Sequence, residues 1–214
     1  MALSFLTVLT NPNAFFSQDP AAWERLRTPA LLVLAAALIA GATAYLTTDL
    51  IAGMMPAEVQ QYRGVMVIAG SIGGPITTFV LWAVWTGVFF LVSLIFQGKG
   101  SFRRTLAAIG YGYLPLVLGG AVSLVLFMVT LPGIRVTPVT SLEEIPTAAA
   151  ALMHQPVMLL SGILGILFLL WAANIWVFGI RHARGLPLRN AAITVGVPVA
   201  LYLLYTIVNL GVLA

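Results

Sequence analysis

The sequence predicts an all-α polytopic membrane protein with five transmembrane helices plus short interfacial helices. Hydrophobic residues make up 61% of the 214-residue chain, charged residues only 7%, and the mean hydropathy is +1.05. Soluble domains carry roughly 25% charged residues. Five apolar stretches are long enough to cross a bilayer at about 20 residues each, and most basic residues stand at one set of their ends.

The chain before the first span, residues 1–28, is predicted as a cytoplasmic interfacial segment. Asp19, followed by proline, is a typical helix N-cap. The short helix would place Trp23 beside Arg25 and Arg27, which suits the lipid headgroup layer. An ordinary lead-in to the first span explains these residues equally well. No basic region precedes the apolar start, so we expect the first span, not a cleaved signal peptide, to direct membrane targeting.

Residues 29–214 are predicted as one five-helix membrane domain, because the connections are too short for a soluble domain. The apolar run 64–97 would be about 50 Å long as one helix, against a hydrocarbon core of about 30 Å. We expect a break at Gly73-Gly74-Pro75, which makes residues 64–73 an interfacial or shallowly re-entrant helix. The five predicted spans are about 29–48, 76–96, 105–131, 156–180 and 188–212.

Helix boundaries after the second span follow from capping residues and prolines. Ser101 is a predicted N-cap for the third span, and Pro115 predicts a kink inside it. Ser141 stands three residues before Glu144, the spacing of a capping box that opens a small surface helix. The fourth and fifth spans each begin at a proline, Pro156 and Pro187.

The distribution of basic residues predicts the topology. Eight of the ten basic residues lie on one side of the five predicted spans, and only Arg63 and Arg135 lie on the other. The positive-inside rule therefore puts the N-terminus in the cytoplasm and the C-terminus outside. A basic cytoplasmic face of this kind is expected to meet anionic lipid headgroups. Nucleic acid is not indicated, since these residues lie between spans and form no stripe. The predicted face consists of Arg25, Arg27, Lys99, Arg103, Arg104, Arg181, Arg184 and Arg189.

No pattern in the sequence predicts catalysis. Cysteine is absent, and His154 and His182 lie on opposite sides of the membrane in this topology. Glu143 and Glu144 are adjacent, so on a helix they would point about 100° apart and would not face each other. We therefore predict no catalytic residue, no cofactor-binding residue and no metal ligand, and we expect that the protein is not an enzyme.

Polar and small residues inside the spans leave two questions open. Asn174 is the deepest strong hydrogen-bonding side chain, predicted to be buried either in an interhelical hydrogen bond or in a polar pathway. Gly70 and Gly74 have the spacing that lets helix backbones approach closely in lipid. Such residues fit a compact monomeric bundle, or a homo-oligomer or complex with other membrane proteins.

Two motifs carry a resemblance to a known family. Gly74-Pro75 precedes the second span, and a glycine, tyrosine and proline motif occupies residues 110–115 of the third: Gly110, Tyr111, Gly112, Tyr113 and Pro115. Together with five spans they resemble the Yip family, which in eukaryotes contains membrane proteins that interact with Ypt/Rab GTPases. The segment GSFRRTLAAIGYGYLP is similar to prokaryotic members. The resemblance covers roughly residues 11–209.

The resemblance implies a five-helix fold, a role in membrane organisation or protein association, and no established reaction. Ser71 and Ile72 replace the acidic–leucine half of the first family motif, and the N-terminal region is only about 28 residues long. Both departures weigh against recruitment of a Rab-type GTPase.

The main functional hypothesis is a non-enzymatic, Yip-like scaffold in a prokaryotic cell membrane. It would act through helix–helix contacts and its cytoplasmic face, without a cofactor. The alternative is a small channel or transporter that uses helix breaks at Gly73-Gly74-Pro75 and Pro115. A membrane-embedded enzyme is the third hypothesis, and it would need a metal site or carboxylate pair that the sequence does not contain.

Overall fold

The computed structural model describes residues 5–135 and 138–209, and the regular elements in these ranges are all helical. Two 3-10 turns, Leu131–Gly133 and Leu142–Glu144, accompany the α-helices. The end of the fifth predicted span, residues 210–212, lies outside the described residues. The helices are α1 Phe5–Thr10, α2 Pro12–Phe16, α3 Pro20–Trp23, α4 Arg27–Met54, α5 Ala57–Gln60, α6 Arg63–Ile95, α7 Phe102–Tyr111, α8 Tyr113–Thr130, α9 Ile145–Met153, α10 Pro156–Arg184 and α11 Leu188–Asn209.

Five helical segments of the described chain are long and apolar enough to cross a membrane, which confirms the predicted fold class. They are Pro20–Met54, Arg63–Ile95, Phe102–Gly133, Pro156–Arg184 and Leu188–Val208. Helices α4 and α6 pack along each other over most of their length. The 33 residues of α6 rise about 50 Å, so this helix tilts in a hydrocarbon core of about 30 Å or extends beyond it.

The predicted helix break at Gly73-Gly74-Pro75 is wrong. Helix α6 is continuous, with Pro75 in its interior. Residues 64–73, predicted as a separate interfacial or re-entrant helix, belong to this same helix. The second span therefore begins more than ten residues before its predicted start.

The continuity of α6 is explained by its contact with α4. A Cβ built on Gly41 would lie 3.0 Å from both the Pro75 ring and the Ser71 carbonyl oxygen. Glycine at position 41 thus leaves room for the Pro75 ring and for the Ser71 carbonyl, to which proline has no amide hydrogen to donate. A Cβ on Gly74 would lie 2.8 Å from the Ala40 carbonyl oxygen. These glycines therefore join two helices inside one chain.

The third span is interrupted at Gly112, between α7 and α8. Pro115 has no amide hydrogen for the Tyr111 carbonyl, and its ring crowds that carbonyl. The structure thus interrupts this span three residues before Pro115, the position of the predicted kink. The predicted N-cap is confirmed, because the Ser101 hydroxyl accepts a hydrogen bond from the Arg104 amide at 3.2 Å.

Residues 5–26, the N-terminal segment, fold onto the bundle. Asp19 caps α3 by accepting a hydrogen bond from the Ala21 amide at 3.0 Å, as predicted. Trp23 is completely buried, and its ring meets the Phe16 ring edge-on with centroids 5.3 Å apart. The placement of Trp23 in the headgroup layer is therefore wrong, because its ring fills the protein interior.

The opposite end of the bundle carries α5, α9 and the chain around them. Glu144, just before α9, accepts hydrogen bonds from the Thr140 amide at 3.0 Å and the Thr140 hydroxyl at 2.9 Å. Its main capping partner is thus Thr140, while the Ser141 backbone, the partner that the capping-box spacing indicated, contributes a weaker hydrogen bond. The Thr140 amide, followed by the Thr140 hydroxyl, lowers the pKa of Glu144.

Packing differs along the bundle. The half nearest the start of α4, which we call the filled half, contains completely buried side chains from five helices: Phe15, Phe16, Trp23, Phe89, Tyr111, Ile175, Trp176 and Ile180. The other half, which we call the open half, contains a cavity of about 630 Å³ between α4, α6, α8, α10 and α11. Beyond it lies a small cluster formed by Phe127, Leu131 and Val157.

Candidate functional site

The eight predicted basic residues lie at one end of the bundle, which we call the basic end. The N-terminal segment, the loop 96–101 and the turn 185–187 meet there, because α6 and α10 end where α4, α7 and α11 begin. Five of the eight side chains are exposed. We call these five the basic surface: Arg25, Arg27, Lys99, Arg103 and Arg189.

Arg184 differs from the other basic residues because it is buried, with only 1% of its surface exposed. Its Nε donates a hydrogen bond to the Ser93 hydroxyl at 2.8 Å, and Nη2 donates to the Gly98 carbonyl at 2.7 Å. Nη1 donates to the Gly100 carbonyl. The guanidinium also lies over the Phe90 ring, 4.2 Å from its centroid. Its predicted place on the lipid-facing cytoplasmic surface is therefore wrong, since the loop carbonyls occupy its donors.

Backbone hydrogen bonding also joins the loop 96–101 to the end of α10. The Lys99 amide donates to the Arg184 carbonyl at 2.8 Å, so residues 98–100 and the end of α10 are bonded in both directions. Gly100 has φ +104° and Gly185 has φ +64°. Both glycines adopt the left-handed backbone that side chains disfavour, and this lets the two turns meet. The loop that presents Lys99 is consequently held to α10.

A second set of contacts fixes the N-terminal segment. Arg104 forms an ion pair with Glu24 at 2.9 Å and lies over the Trp23 ring at 5.2 Å. The Asn13 side-chain oxygen accepts a hydrogen bond from Arg181 at 3.3 Å and lies 3.0 Å from His182 Nε2. Arg104 and Arg181 therefore bind the N-terminal segment to α7 and α10. Neither of these two partners, Asn13 and Glu24, was predicted, because each is a single residue outside any recognisable motif.

The glycine and tyrosine motif packs the filled half. A Cβ at Gly110 would fall on Pro29 of α4, and a Cβ at Gly112 would fall on the Trp176 indole of α10. The Trp176 indole nitrogen donates to the Ile109 carbonyl at 2.8 Å. Tyr111, completely buried, meets the Phe15 ring with centroids 4.9 Å apart. Gly110, Tyr111 and Gly112 are therefore contact residues between α7 and its neighbours.

The two remaining predicted residues are Tyr113 and Asn174. The Tyr113 hydroxyl donates to the Thr78 carbonyl of α6 at 3.4 Å, and both residues line the cavity. Asn174 was predicted to be buried, but it is exposed on α10. Its position is explained by the helical period: its neighbours Ile175 and Trp176 face the core, which turns Asn174 outward.

The basic end presents exposed cationic groups, and its described residues form no catalytic arrangement of reactive side chains. In the described ranges 5–135 and 138–209, no cluster of three His, Cys, Asp or Glu side chains could hold a metal ion. The exposed guanidinium and ammonium groups carry hydrogen-bond donors and no acceptor atoms. Phosphate and carboxylate groups are their natural ligands.

Comparison with known proteins agrees with the fold and the motif. No solved structure matches the chain significantly. An uncharacterized protein of Methanocaldococcus jannaschii is 33% identical over 122 residues, which cover 57% of this chain and 86% of that protein. The Yip1 domain family matches residues 6–209. With nearly the whole chain matched, the protein belongs to the Yip1 domain family.

Proposed function

We propose that this chain is a non-enzymatic membrane scaffold that uses its basic end, on the cytoplasmic side, to gather anionic lipids and partner polypeptides. The observation that carries the proposal is a basic surface of five exposed cations on a rigid base. Arg184 holds the loop that presents Lys99, and Arg104 holds the segment that presents Arg25. A fixed array of cations recognises anionic groups at lower entropic cost than a flexible one.

The lipid part of the proposal is tested in vesicles that contain phosphatidylcholine and phosphatidylglycerol. Spin-labelled lipids measure how strongly each headgroup associates with the reconstituted protein. Each basic residue near an anionic surface contributes about 1 kcal/mol, and this equals roughly a fivefold change in association. We expect replacement of the five basic-surface residues by glutamine to abolish the preference for phosphatidylglycerol. Arg135→Gln, at the opposite end, is the matched control and should retain it.

The partner part is tested with a photoreactive amino acid at position 103, and at position 135 as the control. Irradiation of native membranes should join position 103 to a second polypeptide, and high salt should reduce this product because exposed charges are screened. Exclusively monomeric protein at position 103, or equal products at both positions, would contradict a scaffold that acts through the basic end.

A small channel or transporter remains the second candidate, favoured by the cavity in the open half. The break at Gly73-Gly74-Pro75 that first suggested it does not exist. The Trp85, Phe89 and Trp176 rings, with centroids 5.3 to 5.6 Å apart, close the cavity toward the basic end. Solute flux in proteoliposomes distinguishes the candidates: a scaffold gives no flux above protein-free vesicles, whereas a channel gives flux that changes with Tyr113→Phe.

A further inference from the structure

The cavity in the open half has the dimensions of a lipid site in one membrane leaflet. Its wall on α4 extends from Ala36 to Thr47, a rise of about 16 Å, which is close to half of a hydrocarbon core of about 30 Å. Its volume of about 630 Å³ lies within the range of small-molecule pockets. The cavity is not enclosed. Trp85 of α6 and Leu169 of α10 are the lining residues of these helices that lie nearest the basic end.

The lining of the cavity is apolar with a set of hydroxyl groups. None of the described lining residues is charged. An ionised headgroup would therefore enter without a counter-charge, which is costly away from water. The hydroxyl-bearing lining residues are Thr43, Thr47, Thr78, Tyr113, Ser123, Tyr202 and Thr206.

The hydrogen bonds of three lining threonines indicate one group that an occupant can offer, a hydrogen-bond donor. Thr47 donates to the Thr43 carbonyl at 3.1 Å, Thr78 to the Gly74 carbonyl at 3.0 Å and Thr206 to the Tyr202 carbonyl at 2.9 Å. A hydroxyl has one donor hydrogen and two acceptor lone pairs. These side chains have used their donors within their own helices, so they present acceptors to the cavity.

We propose that this cavity binds an uncharged membrane lipid that carries a free hydroxyl group. The hydroxyl donates to a lone pair of Thr47 or of Thr206, and an acyl chain occupies the apolar depth down to Trp85. A diacylglycerol has this chemistry. The site is separate from the basic surface, and the inference does not depend on the scaffold proposal.

Two glycines provide a matched pair of variants to test occupancy. Gly165 lines the cavity and Gly196 lies on α11, outside the lining; both are exposed, and a Cβ at either would meet nothing within 4 Å. Gly165→Phe puts a ring into the cavity, whereas Gly196→Phe does not. Protein in phosphatidylcholine vesicles is irradiated with a diacylglycerol that carries a diazirine on one acyl chain, and labelled peptides are identified by mass spectrometry.

We expect the probe to label lining residues of α4, α8 or α10. In Gly165→Phe this labelling should fall at least about tenfold, the lower range of what one misplaced apolar group costs in a hydrophobic pocket. Gly196→Phe should keep the labelling of the wild type. Equal labelling in the two variants, or labelling confined to outward-facing residues, would overturn the site.

Two further probes test the headgroup and use the same acyl chains. The 3-methyl ether of the diacylglycerol lacks the donor hydrogen, and phosphatidic acid carries charge. Both should label the lining less than the parent probe, and Thr47→Val with Thr206→Val should remove the difference between the parent and its methyl ether. If Gly165→Phe fails to fold, this threonine variant alone decides the matter. Equal labelling by all three probes would refute recognition of an uncharged hydroxyl.

Discussion

Glycines occur in both the filled half and the open half of the bundle, but their surroundings differ. In the filled half, Gly110 and Gly112 press backbone against proline and indole rings, and two loops close the basic end through Arg184. In the open half, Gly162 and Gly165 line a cavity together with threonines and one serine. The motif residues of the third span thus pack helices closely beneath the basic surface, while small residues elsewhere leave a cavity.

The largest effect is expected from Arg184→Met. The variant keeps the bulk of the side chain but leaves the Ser93 hydroxyl and two loop carbonyls without their donor. At about 1–3 kcal/mol for each of these three groups left unpaired, the free energy of unfolding should fall by at least about 3 kcal/mol. Unfolding of purified protein in detergent measures this loss. Arg189→Met, an exposed cation at the same end, is the control and should change stability by less than about 0.5 kcal/mol. Equal losses would mean that Arg184 is not a structural residue.

Gly112→Ala and Gly165→Ala compare the two halves directly. The new methyl at position 112 would overlap the Trp176 indole, and overpacking of this kind costs about 1–3 kcal/mol. The methyl at position 165 would meet open space, so the stability should stay within about 0.5 kcal/mol of the wild type. Thermal unfolding of both variants provides the measurement. Similar losses at both positions would show that the open half is packed as tightly as the filled half.

Trp176→Phe tests the hydrogen bond that joins α10 to the end of α7. The variant leaves the Ile109 carbonyl without its indole donor, and we expect a loss of about 1–2 kcal/mol in the free energy of unfolding. The control, Trp171→Phe, removes an exposed indole that donates to the Leu9 carbonyl at 3.2 Å. It should cost less, because water or lipid headgroups can reach the exposed acceptor. The reverse order of the two losses would contradict the burial of the α7 contact.

The smallest expected effect is a pH dependence of the contact between Glu144 and Thr140, at the end of the bundle opposite the basic end. The pKa of Glu144 is lowered by the Thr140 amide and hydroxyl, so the stabilising carboxylate contact is complete above the ordinary glutamate pKa. It is lost as the pH falls through the lowered pKa. The protection factor of the Thr140 amide, which is its exchange rate compared with that of the unfolded chain at the same pH, should fall in that acidic range while protection factors in α7 stay constant. Glu144→Gln should show no such transition, and a loss of protection that begins above the ordinary pKa would contradict the assigned direction.

Local signals in the sequence were sufficient for two helix caps, and they pointed to the interrupted third span. Asp19 and Ser101 are caps whose partners lie within three residues, and Pro115 acts on a carbonyl four residues away. The continuity of α6 was not predictable in this way, because the ring of Pro75 is accommodated by Gly41 on another helix. Pattern alone likewise could not distinguish Arg184, whose acceptors come from a distant loop.

The cavity could not be predicted from single spans, since its walls come from five helices. One signal was available: Ala36, Ala40, Thr43, Ala44 and Thr47 recur at helical spacing and form a small, weakly polar stripe on α4. Such a stripe fits either a close helix contact or a void. Only the positions of the neighbouring helices decide between them, and here they leave a void.

The function proposed for the basic end requires that this end face the cytoplasm, and the absence of cysteine makes a direct test simple. Single cysteines at Lys99 and at Arg135 are exposed to a membrane-impermeant maleimide on intact cells. We expect Arg135→Cys to be labelled at once on intact cells and Lys99→Cys to be labelled only after permeabilisation. Labelling of Lys99→Cys on intact cells, with Arg135→Cys protected, would contradict this orientation.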